Sequence, residues 1–334
     1  MWFSLFITFV IVLPSTLSLA QSYSNCKFKF GNRTFLPSKA PRLPPVLYSF
    51  PGSGNTWVRL LIEFSIGLLT GSVYDDKTLV KALPGEGNCS WYVSVIKAHP
   101  RSHNFEQLLD INASSPIKSS PKKYKDHCIM QNVTRFERAI LLIRNPYDAI
   151  WADYQRFLSH SHSGRISIAA FNWQQWLRYS LQEVQEYVQM WTDDYAKIKL
   201  HFKPTDYMFL KYEQLQNTTI RKSELRSVVD FIGIELNKRR SGEPFNSSVK
   251  VTDEQLECAF VLADSNSTHR NMVPSAEGRE AAVMTKERAY TKPLVCCMWA
   301  MFGAIASEVG YTPYRNADCE PDQRNCFKAS LGDR

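Results

Sequence analysis

Two absences narrow the functions open to this 334-residue chain. Despite a net charge of +8, dense basic runs are confined to Lys122–Lys125 and to residues 238–240, so an anionic cofactor or an acidic glycan fits the charge better than nucleic acid does. The eight cysteines include no Cys-x-x-Cys pair, so we expect disulfides or buried thiols rather than a metal site. The length fits one large domain or two small ones.

A basic segment is also missing from the N-terminus, although the rest of that region is typical of a targeting signal. Residues Trp2–Leu13 are almost entirely apolar, and Ser15–Ala20 are mostly small or polar, which fits a cleavage site before Gln21. The apolar run is barely long enough for a bilayer, and Pro14 follows it at once. We therefore predict that residues 1–20 are a cleaved signal peptide, with a short signal anchor as the alternative.

Glycosylation motifs agree with a lumenal protein. Seven asparagines begin the motif Asn-x-Ser/Thr: Asn32, Asn88, Asn112, Asn132, Asn217, Asn246 and Asn266. One such motif arises easily by chance, whereas seven after a signal-like start indicate passage through the secretory pathway. The even number of cysteines fits that oxidising compartment, although their pairing cannot be read from the sequence.

One stretch predicts a strand, a glycine turn and a helix in succession. A short buried strand over Val46–Phe50 leads into a tight turn over Pro51–Gly54, and a helix opens near Asn55 or Thr56. Such a turn lets the backbone approach a ligand, and the first helical amides are unpaired and partly positive, so the arrangement predicts an anion cradle. It is not a Walker A loop, because no Gly-Lys-Ser/Thr follows. An ordinary strand-to-helix turn remains the alternative.

Three more predicted strands alternate with helices: Tyr92–Ala98, Ala139–Ile143 and Tyr207–Glu213. This alternation predicts an α/β fold with a mostly parallel central sheet. Ligands of such folds bind at the carboxyl ends of the strands, where Lys97, His99 and Arg144 stand.

One predicted helix starts at Pro146, and another runs from the capping residue Thr252 to Ala263. The remaining predicted helices cover residues 171–199, Ser223–Ile232 and most of residues 276–309. Residues 21–44 are predicted to be an irregular leader, and residues 311–334 a cysteine-containing tail. The main domain is predicted to span residues 45–310.

Four motifs together resemble the sulfotransferase family: Ser49–Trp57 (SFPGSGNTW), Gly71–Tyr74 (GSVY), Leu141–Tyr147 (LLIRNPY) and Tyr212-Glu213. The likeness is greatest to the sialate O-sulfotransferase-like branch whose members carry WSC domains, and we expect no WSC module here. The family transfers sulfuryl groups from 3′-phosphoadenosine 5′-phosphosulfate (PAPS) on a P-loop-like, three-layer α/β fold. The resemblance therefore implies this fold and this donor, without a metal.

The resemblance assigns the donor to Ser53, Gly54, Asn55, Thr56, Trp57, Arg144, Tyr212 and Arg270. Amides between Ser53 and Thr56 would hold the 5′-phosphosulfate, with hydroxyl help from those two residues. Arg144 would bind the 3′-phosphate through its guanidinium fork, unless it forms only a surface salt bridge. Trp57 would pack near the adenine or serve as a core aromatic. Arg270, beside His269, would cover the 3′-phosphate from a late loop.

The Lys-x-His pattern at the second strand implies the catalytic groups. His99 would remove the proton of the acceptor hydroxyl, and Lys97 would supply positive charge beside the transferring group. Two departures from the family pattern argue against catalytic activity. Gly52 replaces a turn lysine or arginine that neutralises the leaving oxygen, and Ala152 replaces a serine that assists at the 3′-phosphate. Lys97 or Arg59 would have to compensate for Gly52.

The sequence hypothesis is a sulfotransferase of the Golgi lumen or membrane that modifies a glycan or glycoprotein hydroxyl, with sialic acid as one candidate acceptor. Its membrane contact would be limited to an N-terminal anchor, and a secreted protein is the alternative location. Because of the two departures, the alternative function is a catalytically inactive, sulfotransferase-like glycan-binding protein.

Overall fold

The computed structural model describes residues 21–37, 39, 43–100, 136–161, 164–233, 251–266 and 283–319. Its strands are β1 (Val46–Ser49), β2 (Gly71–Ser72), β3 (Ile96–Ala98), β4 (Ala139–Ile143) and β5 (Tyr207–Lys211). They form one sheet in the order β2-β3-β1-β4-β5, in which every neighbouring pair is parallel.

The helices of the described residues are α1 (residues 21–30), α2 (Asn55–Ile66), α3 (Pro146–Ser159), α4 (Trp173–Gln189), α5 (Ala196–His201), α6 (Tyr212–Gln216), α7 (Arg221–Ile232), α8 (Asp253–Asn266), α9 (Lys286–Ala289) and α10 (Lys292–Glu308). A π-helical segment, Met190–Tyr195, joins α4 to α5. The helix predicted over residues 171–199 is therefore divided, because this wider turn interrupts the α-helical hydrogen bonding.

The sheet separates two apolar cores, because successive side chains of a strand point to opposite faces. Along β4, Ala139, Leu141 and Ile143 face the core shared with α3, α4 and α10. Ile140 and Leu142 face the core shared with α2, α7 and α8. All five side chains are buried, as expected for a strand covered by helices on both faces. The predicted three-layer α/β fold is confirmed.

The turn after β1 lies at the point where the winding of the sheet reverses. β1 pairs with β3 on one side and with β4 on the other, so a crevice opens at its carboxyl end. Gly54 (φ +90) precedes α2 and Gly67 (φ +70) ends it, both in the left-handed conformation that glycine adopts without strain. The helix start predicted near Asn55 is confirmed.

Some elements differ from the sequence predictions. Strand β2 was not among the predicted strands. It forms because Gly71 N–H donates to Val95 O at 2.7 Å and Val73 N–H donates to Lys97 O at 3.0 Å. The predicted second strand is shortened to Ile96–Ala98. Residues 21–30 of the leader are helical rather than irregular.

Two disulfides join described residues. Cys26–Cys258 links α1 to α8, and Cys296–Cys319 links α10 to the segment that follows it. The expectation of disulfides is confirmed. Within the described ranges, no helix has both the length and the apolar character needed to cross a membrane. The predicted signal over residues 1–20 and both basic clusters lie outside the described residues.

A buried ion pair behind the turn gives a stability prediction. Arg59 on α2 pairs with Glu86 and donates through Nε to Thr70 Oγ1 at 2.8 Å, and both charged side chains are fully buried. Arg59→Met leaves the Glu86 carboxylate buried without its partner, and we expect a loss of about 3–5 kcal/mol in the free energy of unfolding, measured by urea denaturation. Lys29→Met, in the exposed Lys29–Glu254 pair, is the control and should lose less than about 1 kcal/mol. Equal losses would contradict the prediction.

Candidate active site

A cavity of about 820 Å³ opens at the carboxyl edge of the sheet. The ends of β1, β3, β4 and β5 all contribute to it, as expected for parallel strands. The predicted site residues that line it are Gly54, Asn55, Thr56, Trp57, Lys97, His99, Arg144 and Tyr212. Sequence elements far apart in the chain therefore meet at one site.

The glycine turn and the first residues of α2 line this cavity. Val58 N–H donates to Gly54 O at 3.1 Å and makes the first hydrogen bond of the helix. The amides of Asn55, Thr56 and Trp57 precede it, so they have no acceptor within the helix. No side chain caps α2, and its first turn contains no acidic residue. These features fit an anion at the helix N-terminus.

Ser53 lies beneath the cavity rather than on its wall. Its side chain is buried, and its Oγ has no hydrogen-bond partner among the described residues. A buried hydroxyl without a partner is unfavourable, so this group also fits a site that a ligand completes. The contact between Ser53 Oγ and the donor stays a prediction.

Gly54 is required by close packing as well as by its backbone conformation. A Cβ at this position would lie 2.3 Å from a ring atom of Tyr212. The Tyr212 ring in turn packs edge-on against Trp57, with ring centroids 5.3 Å apart. The absence of a side chain at Gly54 therefore brings the turn and an aromatic pair together.

Arg144 lines the cavity beside the glycine turn and Tyr212. Its Nη1 donates to Gly52 O at 2.8 Å, and its guanidinium carbon lies 4.4 Å from the centroid of the Tyr212 ring. Trp57 Nε1 donates to Asp264 Oδ1 at 2.8 Å, which fixes the indole of the aromatic pair. A guanidinium on the Tyr212 ring, which itself packs against Trp57, is well suited to a purine nucleotide with a phosphate.

Glu213 and Asp148 are occupied by structural contacts. Glu213 Oε1 accepts from Asn145 N–H at 2.8 Å, and its Oε2 accepts from Tyr311 OH at 2.8 Å. Asp148 forms an ion pair with Lys286 at the cavity wall. The Glu213 contacts hold the strand end that carries Arg144.

His99 directly follows β3, and its Nδ1 takes part in a hydrogen bond. Its Nδ1 lies 2.7 Å from Ser49 O, and because a carbonyl oxygen only accepts, Nδ1 carries the proton. The neutral imidazole then has its lone pair on Nε2, the form that a general base needs. The ring packs near Tyr74, with centroids 5.7 Å apart.

Burial lowers the pKa values of both predicted catalytic groups. Burial, and then the charge of Lys97, hold the pKa of His99 well below 6.5, so the imidazole is neutral at neutral pH. Burial lowers the pKa of Lys97 to about 8, even though Glu86 acts in the opposite direction. The Lys97 ammonium lies 5.4 Å from the centroid of the Tyr74 ring.

Sequence reasoning missed Arg156, which also lines the cavity. The signal was present: Asp148, Ala152 and Arg156 follow each other at four-residue spacing on α3, so they share one helix face. Arg59 does not line the cavity, because its side chain is fully buried in its pair with Glu86, and the suggestion that it compensates for Gly52 stays a prediction. Arg270 lies outside the described residues, so its assignment stays a prediction.

Comparison with known proteins identifies the class. The family described as the sulfotransferase domain matches residues 45–257, about two thirds of the chain. The protein therefore belongs to the sulfotransferase family, whose members in general use PAPS as the donor, and the resemblance deduced from the sequence is confirmed.

Its relatives include WSCD family members of three insects. The Drosophila melanogaster protein is 31% identical over 201 residues, which are 58% of this chain and 51% of that protein. The Drosophila pseudoobscura pseudoobscura protein is 30% identical, with coverage of 56% and 49%, and the Aedes aegypti protein is 29% identical, with coverage of 57% and 50%. The matches thus span about half the length of these relatives.

The position of Arg144 leads to a binding prediction. Arg144→Gln removes the guanidinium, so we expect the affinity for 3′,5′-ADP, the donor product, to fall about 10- to 100-fold in isothermal titration calorimetry, as for a lost charge-assisted hydrogen bond. Arg221→Gln is the matched control, because Arg221 stacks on Phe260 at the same 4.4 Å without lining the cavity. Unchanged affinity in Arg144→Gln would remove Arg144 from the donor site.

Proposed function

We propose that this protein transfers a sulfuryl group from PAPS to a hydroxyl of a glycan. The observation that carries the proposal is the meeting, in one cavity, of the glycine turn, the Arg144 guanidinium and the Lys97–His99 pair. The first two fit the two anionic ends of an adenosine bisphosphate. The pair supplies a base and a cation for the reaction.

The roles follow from the contacts. The amides after Gly54 and the guanidinium of Arg144 hold the donor, which supplies the activated sulfuryl group. His99 Nε2 takes the proton of the acceptor hydroxyl while that oxygen forms its bond to sulfur. The bond from sulfur to the bridging oxygen breaks, and this oxygen keeps the electron pair. Lys97 stabilises the negative charge that develops on the oxygens.

The proposed acceptor is a glycan, free or on a glycoprotein, and sialic acid is one candidate. A glycan acceptor agrees with the route indicated by the disulfides and sequons, because protein-linked sugars are built along the secretory pathway. We place the protein in the Golgi lumen or at the Golgi membrane on the same ground. A nucleic-acid partner is not proposed.

Donor turnover by the wild type and by His99→Ala tests the function. With labelled PAPS and a panel of small glycans, we expect transfer by the wild type and a loss of about 10²- to 10⁴-fold in His99→Ala, because the base is removed. His201→Ala, an exposed histidine of α5, is the control and should retain full activity.

Two outcomes would contradict this. Equal rates for wild type and His99→Ala would exclude the base role. Absence of transfer, together with binding of 3′,5′-ADP and glycan, would favour the alternative of an inactive glycan-binding protein. That alternative is supported by the absence of a cation at Gly52 and of a hydroxyl at Ala152.

The pKa shifts predict the pH dependence of kcat/KM. His99 acts in its neutral form, and its lowered pKa keeps it neutral down to pH values below 6.5, so the rate should not fall between pH 7 and 6.5. Lys97 acts in its charged form and loses its proton above about pH 8, so the rate should fall there. Lys97→Arg keeps its charge and should extend the plateau to higher pH. A rate that rises through pH 8 would contradict the assignment.

A further inference from the structure

The glycine turn cannot itself provide the cation that related enzymes carry at this position. Gly52 has a φ of +81, and a Cβ on it would lie 2.1 Å from Ala149 O and 2.9 Å from Asp153 N on α3. Both atoms belong to the backbone, so neither can move aside cheaply. A side chain at Gly52 is therefore excluded, and the positive charge has to come from another element.

Arg156 on the same helix is in a position to supply it. It lies one turn beyond Ala152 and lines the cavity together with Lys97 and His99. Its Nε and Nη2 donate to Asp153 Oδ1 at 2.9 and 2.6 Å. The helix that blocks a side chain on the turn therefore carries a guanidinium to the same space.

The Asp153 carboxylate fixes the orientation of the Arg156 guanidinium. Asp153 is fully buried, and its second oxygen, Oδ2, accepts from Tyr179 OH at 2.7 Å. A carboxylate bonded at both oxygens has a fixed orientation, and it fixes the Nε and Nη2 edge of Arg156. Such an arrangement pre-organises a charged group, so that little rotamer freedom is lost when a ligand binds.

The edge of the Arg156 guanidinium that faces away from Asp153 has N–H groups that can bind a ligand. A guanidinium has five N–H groups, and the bonds to Asp153 use two of them. No further hydrogen bond of Arg156 is seen among the described residues, and 43% of its side chain is exposed. Burial is the main cause of the lowered pKa values of His99 and Lys97, and the charge of Arg156 acts in the same direction. Against the effect of burial, Asp153 and then Asp76 raise the pKa of Arg156.

We propose that Arg156 binds the sulfuryl end of the donor and provides the positive charge that Gly52 cannot. This inference rests on the proposed function. Its free N–H groups would donate to the sulfuryl oxygens in the bound donor and to the bridging oxygen as that oxygen takes up the electron pair of the breaking bond. Arg156 is then a contact specific to the sulfuryl group, unlike Arg144, which is assigned to the 3′-phosphate.

Comparison of two ligands tests this without turnover. PAPS carries the sulfuryl group and 3′,5′-ADP lacks it, so Arg156→Gln should weaken PAPS binding about 10- to 100-fold while 3′,5′-ADP binding stays within about twofold, as measured by calorimetry. Arg156→Lys keeps a cation beside Asp153 but loses the fork, and we expect a smaller loss for PAPS alone. Arg226→Gln, which removes an arginine paired with Asp253 away from the cavity, is the matched control.

The outcomes separate the two claims. If the wild type binds neither ligand, the proposed function fails. If the wild type binds both and Arg156→Gln binds both unchanged, the inference about Arg156 is overturned while the function stands. Parallel loss of both ligands in Arg156→Gln and in Arg156→Lys indicates a structural role and also overturns the inference.

Discussion

The close contact between the glycine turn and helix α3 determines the rest of the site. Gly52 packs so tightly against Ala149 and Asp153 that only hydrogen fits at its α-carbon. This contact fixes the start of α2 relative to α3. Arg144, at the end of the strand before α3, then reaches back to Gly52 O and closes the unit. The packing of Gly52 against α3, together with the hydrogen bond from Arg144 to Gly52, therefore positions both the turn and Arg144.

The electrostatics of the cavity favour an anionic ligand. Lys97 and His99 lie in a poorly solvated space, where burial lowers the pKa of Lys97 to about 8, and burial followed by the charge of Lys97 lowers the pKa of His99. Two carboxylates of the cavity region are already paired, Asp148 with Lys286 and Asp153 with Arg156. A bound anion would stabilise the charged form of Lys97 and would also accept hydrogen bonds from the amides of the helix start. The same charges therefore promote donor binding and set the protonation states of the reactive groups.

Local patterns were enough to predict most of the fold. The helix that starts at Pro146 could be predicted, because proline suits the first helical position and Asn145 Oδ1 caps it by accepting from Tyr147 N–H at 3.1 Å. Strand β4 could be predicted because it is a continuous buried run. By contrast, β2 has two residues and depends on a neighbouring strand for its hydrogen bonds, so no local signal marks it. The spacing of Asp148, Ala152 and Arg156 marks one helix face, but the hydrogen bonds that orient Arg156, to Asp153 and through it to Tyr179, could not be read from the sequence.

The tight packing around Gly52 has an evolutionary consequence. A single mutation of Gly52 to lysine would bring the new side chain against backbone atoms of α3. A lysine could therefore be accommodated there only if the turn and α3 changed together. Selection for a cation at this site would then fall on α3, where such a residue already stands.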